Sequence, residues 1–182
     1  MGNHTICCAG YQSTQNFNAF NPRLKKLVRA IKFSHLAYWG LIASQWLSYA
    51  HAGPEGGQVV GGTADITHSE ALTRIDQFSD RVVINWDSFN VGHNERVEFV
   101  QPSASSIVLN NILDNQLSTI RGAIDANGQV VLVNPRGVLF TKTSNVDVNG
   151  LIASGLGLDP QTFMNGGLLL QNSSEGSGHV IN

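Results

Sequence analysis

The chain has 182 residues, room for one domain of ordinary size, and its formal net charge of −2 is unevenly spread. Residues 1–52 hold five basic residues and no Asp or Glu, whereas the thirteen acidic and six other basic residues all fall from Gly53 onward, a net −7. That acidic remainder has no basic patch to meet phosphates, which argues against nucleic-acid binding, and both cysteines, Cys7 and Cys8, lie before it, which excludes a disulfide framework.

The first predicted element is a targeting segment. Arg23, Lys25, Lys26, Arg29 and Lys32 lead into the apolar run "LAYWGLIASQWLSY", Leu36 to Tyr49. The run is expected to be helical. It is shorter than the ~20 residues a membrane-spanning helix needs, and Gln45 interrupts it. It ends in Ala50-His51-Ala52, with small residues at Ala50 and Ala52 where signal peptidase cuts. The basic leader exceeds the usual ~15–30 residues, so either the signal is an extended one or the start codon is set too early. The expected division is 1–52 as extended signal peptide and 53–182 as the mature domain. An N-terminal anchor helix is the alternative reading of the same run.

The mature segment opens with "GPEGGQVVGG", read as a flexible start running into a first strand. It lacks the Gly-Lys-Ser/Thr ending of a phosphate loop. Beyond it, alternation is the main signal. "RVVINW" puts Val82, Ile84 and Trp86 on one face; "RVEFVQP" sets Val97 and Phe99 against Glu98; "SIVLNNI" places Ile107 and Leu109 together; "QVVLVN" and "GVLF" follow. Gly, Asn, Asp, Ser and Pro break these runs at short intervals, and no helical stripe lasts three turns. The fold class is therefore all-β.

An internal echo narrows it further. "IDANGQV" from Ile124 and "VDVNGLI" from Val146 share one form, with Asn127 and Asn149 separated by 22 residues and Asn172 of "LLLQN" 23 beyond. A period above roughly 20 residues indicates stacked coils, and favours a parallel β-helix over a sandwich. Asn127-Gly128 and Asn149-Gly150 are then repeat corners, where Asn tolerates left-handed backbone and Gly adopts it without strain. A hairpin turn is the competing reading of Asn-Gly. Asp125 and Asp147 read as solvated turn residues. Between two aliphatic runs, Asn134-Pro135-Arg136-Gly137-Val138 fits a type I turn, with Pro presetting φ and Asn134 bonding the backbone two residues on.

No catalytic or metal constellation stands out. His68, His93 and His179 have no partner at ligand spacing, and no nucleophile elbow occurs. No cofactor is expected.

Taken in order, "GGQVVGG", "RVVINWDSFNVGHNERVEFVQPSASSIVLNNI", "IRGAIDANGQVVLVNPRGVLF" and "VDVNGLIAS" resemble the N-terminal secretion domain of two-partner secretion exoproteins, also called the filamentous haemagglutinin N-terminal or haemagglutination activity domain. The resemblance covers roughly Gly56 to Asn182. It implies a right-handed parallel β-helix with an N-terminal cap. It implies export through the periplasm to the cell surface of a Gram-negative cell, with an outer-membrane barrel transporter bearing POTRA domains as partner. The family's Asn-Pro-Asn-Gly-Ile/Val motif matches Asn134, Pro135, Gly137 and Val138, with Arg136 in place of the second Asn. On this reading the domain is a non-enzymatic address for an adhesin- or haemolysin-like protein, and contact with a host-cell surface belongs to a passenger downstream of Asn182. Two alternatives stay open at this point. A carbohydrate- or host-cell-binding module needs exposed aromatics on one face, and a β-helix polysaccharide lyase or hydrolase needs clustered carboxylates.

Overall fold

Residues 53–172 and 177–182 are described in the computed structural model. The expected helical signal segment and the cleavage residues Ala50 and Ala52 lie outside them. Thirteen short strands and one helical turn follow in chain order. They are β1 (Gln58–Gly61), β2 (Ala64–Ser69), β3 (Leu72–Gln77), β4 (Arg81–Trp86), β5 (Arg96–Val100), β6 (Ile107–Ile112), β7 (Ser118–Ile120), β8 (Ala123–Val133), β9 (Val138–Phe140), β10 (Asn145–Ser154), β11 (Gly157–Leu158), α1 (Pro160–Met164), β12 (Leu170–Gln171) and β13 (Val180–Ile181).

The strands wind into a parallel solenoid of about four turns. On the first face β3, β5, the start of β8 and the start of β10 pair in parallel. On the second face β4, β6, the end of β8 and the end of β10 do the same. The third face holds β7, β9 and β13. Parallel crossovers of this kind are right-handed in about 98% of cases. β1 and β2 instead pair antiparallel, with β4 and β3 respectively, and so cover the first coil's exposed strand edges. This is the expected cap. The Gly-rich start is pinned rather than loose: a Cβ at Gly57 would sit 2.5 Å from the Trp86 ring.

Alternation along each strand fills the tube. Val82, Val108 and Val130 stack in register, as do Trp86 and Ile112, and all are buried in one core with Ile75, Val97, Phe99, Ile124, Val138 and Phe140. Each such side chain contributes about 1.5–3 kcal/mol when removed from water. Asn110 lies in the same interior, fully buried. It accepts the Trp86 Nε1–H at 3.0 Å and donates to Val131 O at 3.3 Å, so no polar group is stranded there.

The second face is apolar on its outside too. Val83, Leu109 and Val131 alternate with the inner residues and are equally buried. They are covered by an excursion that the sequence reading did not anticipate. Register-paired residues of the third face lie 20 apart between Ser118 and Val138, but 42 apart between Val138 and Val180. The surplus is β11, α1 and β12, which pack Leu158, Phe163 and Met164 on the outer layer. Asp159 caps α1 by accepting the Thr162 N–H and Oγ1–H, both at 2.7 Å, and these bonds hold its carboxyl below the usual carboxylate range. Arg81 lies 5.2 Å from the Phe163 ring centroid and donates to its carbonyl at 3.0 Å. The excursion leaves at Gly155 and returns at Gly178, whose carbonyl would lie 1.9 Å from a Cβ on Gly155. Asn172 therefore follows an antiparallel pair, β11 with β12, and is not the corner of a further coil.

Two substitutions probe this architecture. Glu70, in the β2–β3 turn, is the one non-glycine residue with positive φ among the described residues, at 26°. Glu70→Asn should raise stability by about 0.5–1 kcal/mol, because Asn tolerates that region better; an unchanged or lower urea midpoint would show that the turn is unstrained. Phe163→Ala should cost about 3–5 kcal/mol, read from urea unfolding, while the far-ultraviolet strand signal of the coils persists.

Candidate functional site

The corner between the second and third faces is built by Asn134 to Val138. The Gly137 N–H donates to the Asn134 carbonyl at 2.8 Å, closing the four-residue turn. The Asn134 side chain accepts the Arg136 N–H through Oδ1 at 2.8 Å, the side-chain turn expected of Asn at this place. Arg136 keeps negative φ, so it fits where a left-handed position would strain it. Gly137 has a φ of 106°, and a Cβ there would lie 2.4 Å from the His179 carbonyl oxygen. Glycine is thus required twice over, by backbone conformation and by the close passage of the next coil.

Asn134 itself is fully buried and bonded on both sides along the solenoid axis. Its Nδ2 donates to Gln116 O at 3.0 Å and to Ser118 Oγ at 2.9 Å in the coil before. Its backbone N–H donates to Ser154 O at 3.0 Å in the coil after. Val138, next to the turn, is buried in the core and donates its N–H to His179 O at 3.1 Å. Pro135 is half-buried and Arg136 exposed, with its Nη2 donating to Asn115 Oδ1 at 3.4 Å. Alongside, Leu113 and Leu117 are exposed. A residue locked from within therefore presents a proline and a guanidinium outward.

The other two Asn-Gly pairs sit where β8 and β10 bend from the first face to the second. Residues 123–126 pair with β5 and residues 129–133 with β6, so the bend falls on Asn127-Gly128 inside one continuous strand. Asn149-Gly150 lies beside it, at a register shift in β10. None of the four residues has the left-handed backbone expected of a corner. Glycine at 128 is needed for proximity instead, since a Cβ would lie 2.5 Å from Gln101 Oε1 and 2.7 Å from Ser106 O. Asn127 spans the bend with its amide, accepting the Gln101 N–H and donating to the Gln101 carbonyl, both at 2.7 Å. Asn149 donates to Ala104 O at 2.8 Å. Both amides thus hold the loop after β5.

Asp125 and Asp147 are not turn residues. They lie in β8 and β10, in register with each other and with Glu98. Asp125 is ion-paired with Arg96, and Glu98 with Arg74 at 2.7 Å. Arg74 also grips Asp76, which pushes its own pKa up. Glu98 and Asp125 in this row are thus ion-paired strand residues. Among the described residues, no three His, Cys, Asp or Glu side chains converge to hold a metal.

Gln77 and Gln101 escaped the sequence reading. The Gln101 Nε2 donates to Gln77 Oε1 at 3.0 Å, linking the first and second coils inside the same bend. A glutamine two residues past the alternating runs "LTRI" and "RVEF", before a turn, was the available signal.

The TPS secretion domain family matches residues 50–182. A heme/hemopexin-binding protein of Haemophilus influenzae is 40% identical over 101 residues, and another protein so named from that species is 37% identical over 103. Either alignment covers 56% of this chain but only 11% of the relative, so the chain spans a small part of the length of these relatives. The crystal structure of the HMW1 secretion domain from Haemophilus influenzae superposes with a TM-score of 0.66 at 33% identity, covering 71% of this chain and 34% of that one. Sequence match and coiled topology agree: the chain belongs to the TPS secretion domain family, and residues 50–182 are the secretion-targeting domain of a two-partner secretion exoprotein.

Proposed function

We propose that the Asn134–Val138 corner is part of the address read by the POTRA domains of a partner outer-membrane transporter. The observation that carries this reading is the division of labour within the corner: Asn134 is buried and spent on neighbouring coils, while Arg136 faces outward. Residues 1–52 act as an extended signal that is cut after Ala52 and delivers residues 53–182 to the periplasm. There the chain is extended apart from the Asn134–Gly137 turn, which its own Gly137 N–H to Asn134 carbonyl bond closes locally, and its strands add to the edge of a receptor sheet. Outside the cell the first closed coils template the later ones, since each coil pairs only with its neighbours.

The domain acts as an address and not as an enzyme. Glu98 and Asp125 are held in ion pairs by Arg74 and Arg96 along their strands, which speaks against lyase or hydrolase chemistry. Among the described aromatics Phe78 alone is exposed while Trp86, Phe89, Phe99, Phe140 and Phe163 are buried, and a single exposed ring speaks against a carbohydrate platform. Host-surface contact, including binding of the kind in the relatives' names, is placed in passenger sequence.

The test is co-expression with the cognate transporter, scoring secreted against total protein. Asn134→Ala should lower the secreted fraction and cost the exported remainder about 2–3 kcal/mol, because buried partners lose their bonds. Arg136→Glu should change stability by less than about 0.5 kcal/mol and yet weaken binding to the isolated POTRA domains. Normal secretion and binding by Arg136→Glu and Pro135→Ala together would leave the corner a purely structural element.

A further inference from the structure

The chain contains three Asn-Gly pairs: Asn127-Gly128, Asn149-Gly150 and Asn165-Gly166. Glycine has no Cβ to shield its nitrogen, so the backbone can bring that nitrogen onto the side-chain carbonyl carbon of the preceding asparagine. The fold holds two of these pairs and leaves the third. Asn127 is bonded through both ends of its amide to the Gln101 backbone at 2.7 Å, and Gly128 is buried against Gln101 and Ser106. Asn149 donates to Ala104 O at 2.8 Å from within β10. Asn165 and Gly166, at the end of α1, are both exposed. Among the described residues, no hydrogen bond holds the Asn165 side chain. Gly166 has a φ of 96°, with no atom within 4 Å of where a Cβ would stand. Its nitrogen is tied to Phe163 O at 3.0 Å, at the last turn of a five-residue helix, where ends fray.

We propose that Asn165-Gly166 is a site of spontaneous deamidation selected by the fold, and that its product loosens the lid formed by α1. The Gly166 nitrogen attacks Asn165 Cγ. An N–Cγ bond forms, the Cγ–Nδ2 bond breaks, and ammonia leaves with the Gly166 proton. Water then opens the cyclic imide. Cleavage of the new N–Cγ bond gives an ordinary aspartate; cleavage at the main-chain carbonyl carbon gives a β-linked isoaspartate. Either product adds one negative charge at the carbonyl end of α1, where the helix dipole disfavours an anion. The isoaspartate also lengthens the main chain by a methylene. The N–H groups of Gly166 and Gly167 donate to Phe163 O at 3.0 Å and Thr162 O at 2.9 Å, and an extra backbone atom displaces both. Those bonds turn the chain from α1 toward β12 and so help keep Phe163 on the outer layer with Val83, Leu109 and Val131. The inner core of the coils is untouched.

Ageing the purified full chain tests this. The protein is held at mildly alkaline pH, folded or in urea, then digested and read by mass spectrometry for amide-to-acid conversion at the three asparagines. Enzymatic methylation of isoaspartate reports the β-linked product. In urea the three sites should react at comparable rates. In the folded protein Asn165 should keep most of its urea rate, while Asn127 falls at least about tenfold below it, because its reaction must wait for a local opening of the coils. Chymotrypsin should cut after Phe163 at least about threefold faster in aged than in fresh protein, as a loosened lid requires. Asn165→Gln, whose longer side chain cyclises slowly, should show no such rise. An Asn165 as protected as Asn127 in the folded protein overturns the site. A Phe163 cut that ageing does not speed, or speeds equally in N165Q, overturns the effect on the lid.

Discussion

Register between successive coils is the constraint on which the rest of this structure depends. Each coil buries its inner side chains only if its strands align with those of the coil before, and a slip by one residue would turn every inward valine outward. Backbone ladders alone do not choose between registers, because one rung of amides resembles the next. The side-chain amides at the bends do choose. Gln101 reaches Gln77, Asn127 grips the Gln101 backbone, and Asn134 reaches Gln116 and Ser118. These bonds span 2.7–3.0 Å, lengths that a shifted register would break. The Asn134–Val138 turn is thus also a registration device.

The two layers of the second face show how one sheet serves two cores. β4, β6 and β8 are apolar on both sides, inward toward the tube and outward toward α1 and its flanking strands. Such strands lose the clean apolar-polar alternation of a half-exposed sheet. "RVVINW" and "QVVLV" are dense in valine for that reason. Arg81 completes the outer layer by combining a ring contact with a carbonyl bond to Phe163.

Much of this was legible in the sequence, for identifiable reasons. The inner triplet Val82, Ile84 and Trp86 follows from a period of two, and the stacking of Ile124 on Val146 follows from the 22-residue echo. What escaped was governed by contacts remote in sequence. Leu109 and Val131 look like ordinary strand residues until Phe163 is folded over them. Asn172 matched the echo in letters, but the excursion places it outside the coils. The single turn of α1 is too short for periodicity to reveal; Asp159-Pro160, a cap followed by a first-turn proline, was its only local mark. Asn-Gly suggested left-handed corners, whereas the packing of Gln101 against Gly128 explains the glycine.

The pinched neck at Gly155 and Gly178 has its own consequence. Because the segment between them departs and returns at virtually one point, its length is decoupled from the pitch of the tube. Loop-closure entropy grows only slowly with loop size, and surface excursions with adjacent ends tolerate replacement. The neck is therefore a natural graft port, at which a foreign peptide could be displayed on an exported scaffold, provided the graft supplies its own apolar lid for Val83, Leu109 and Val131.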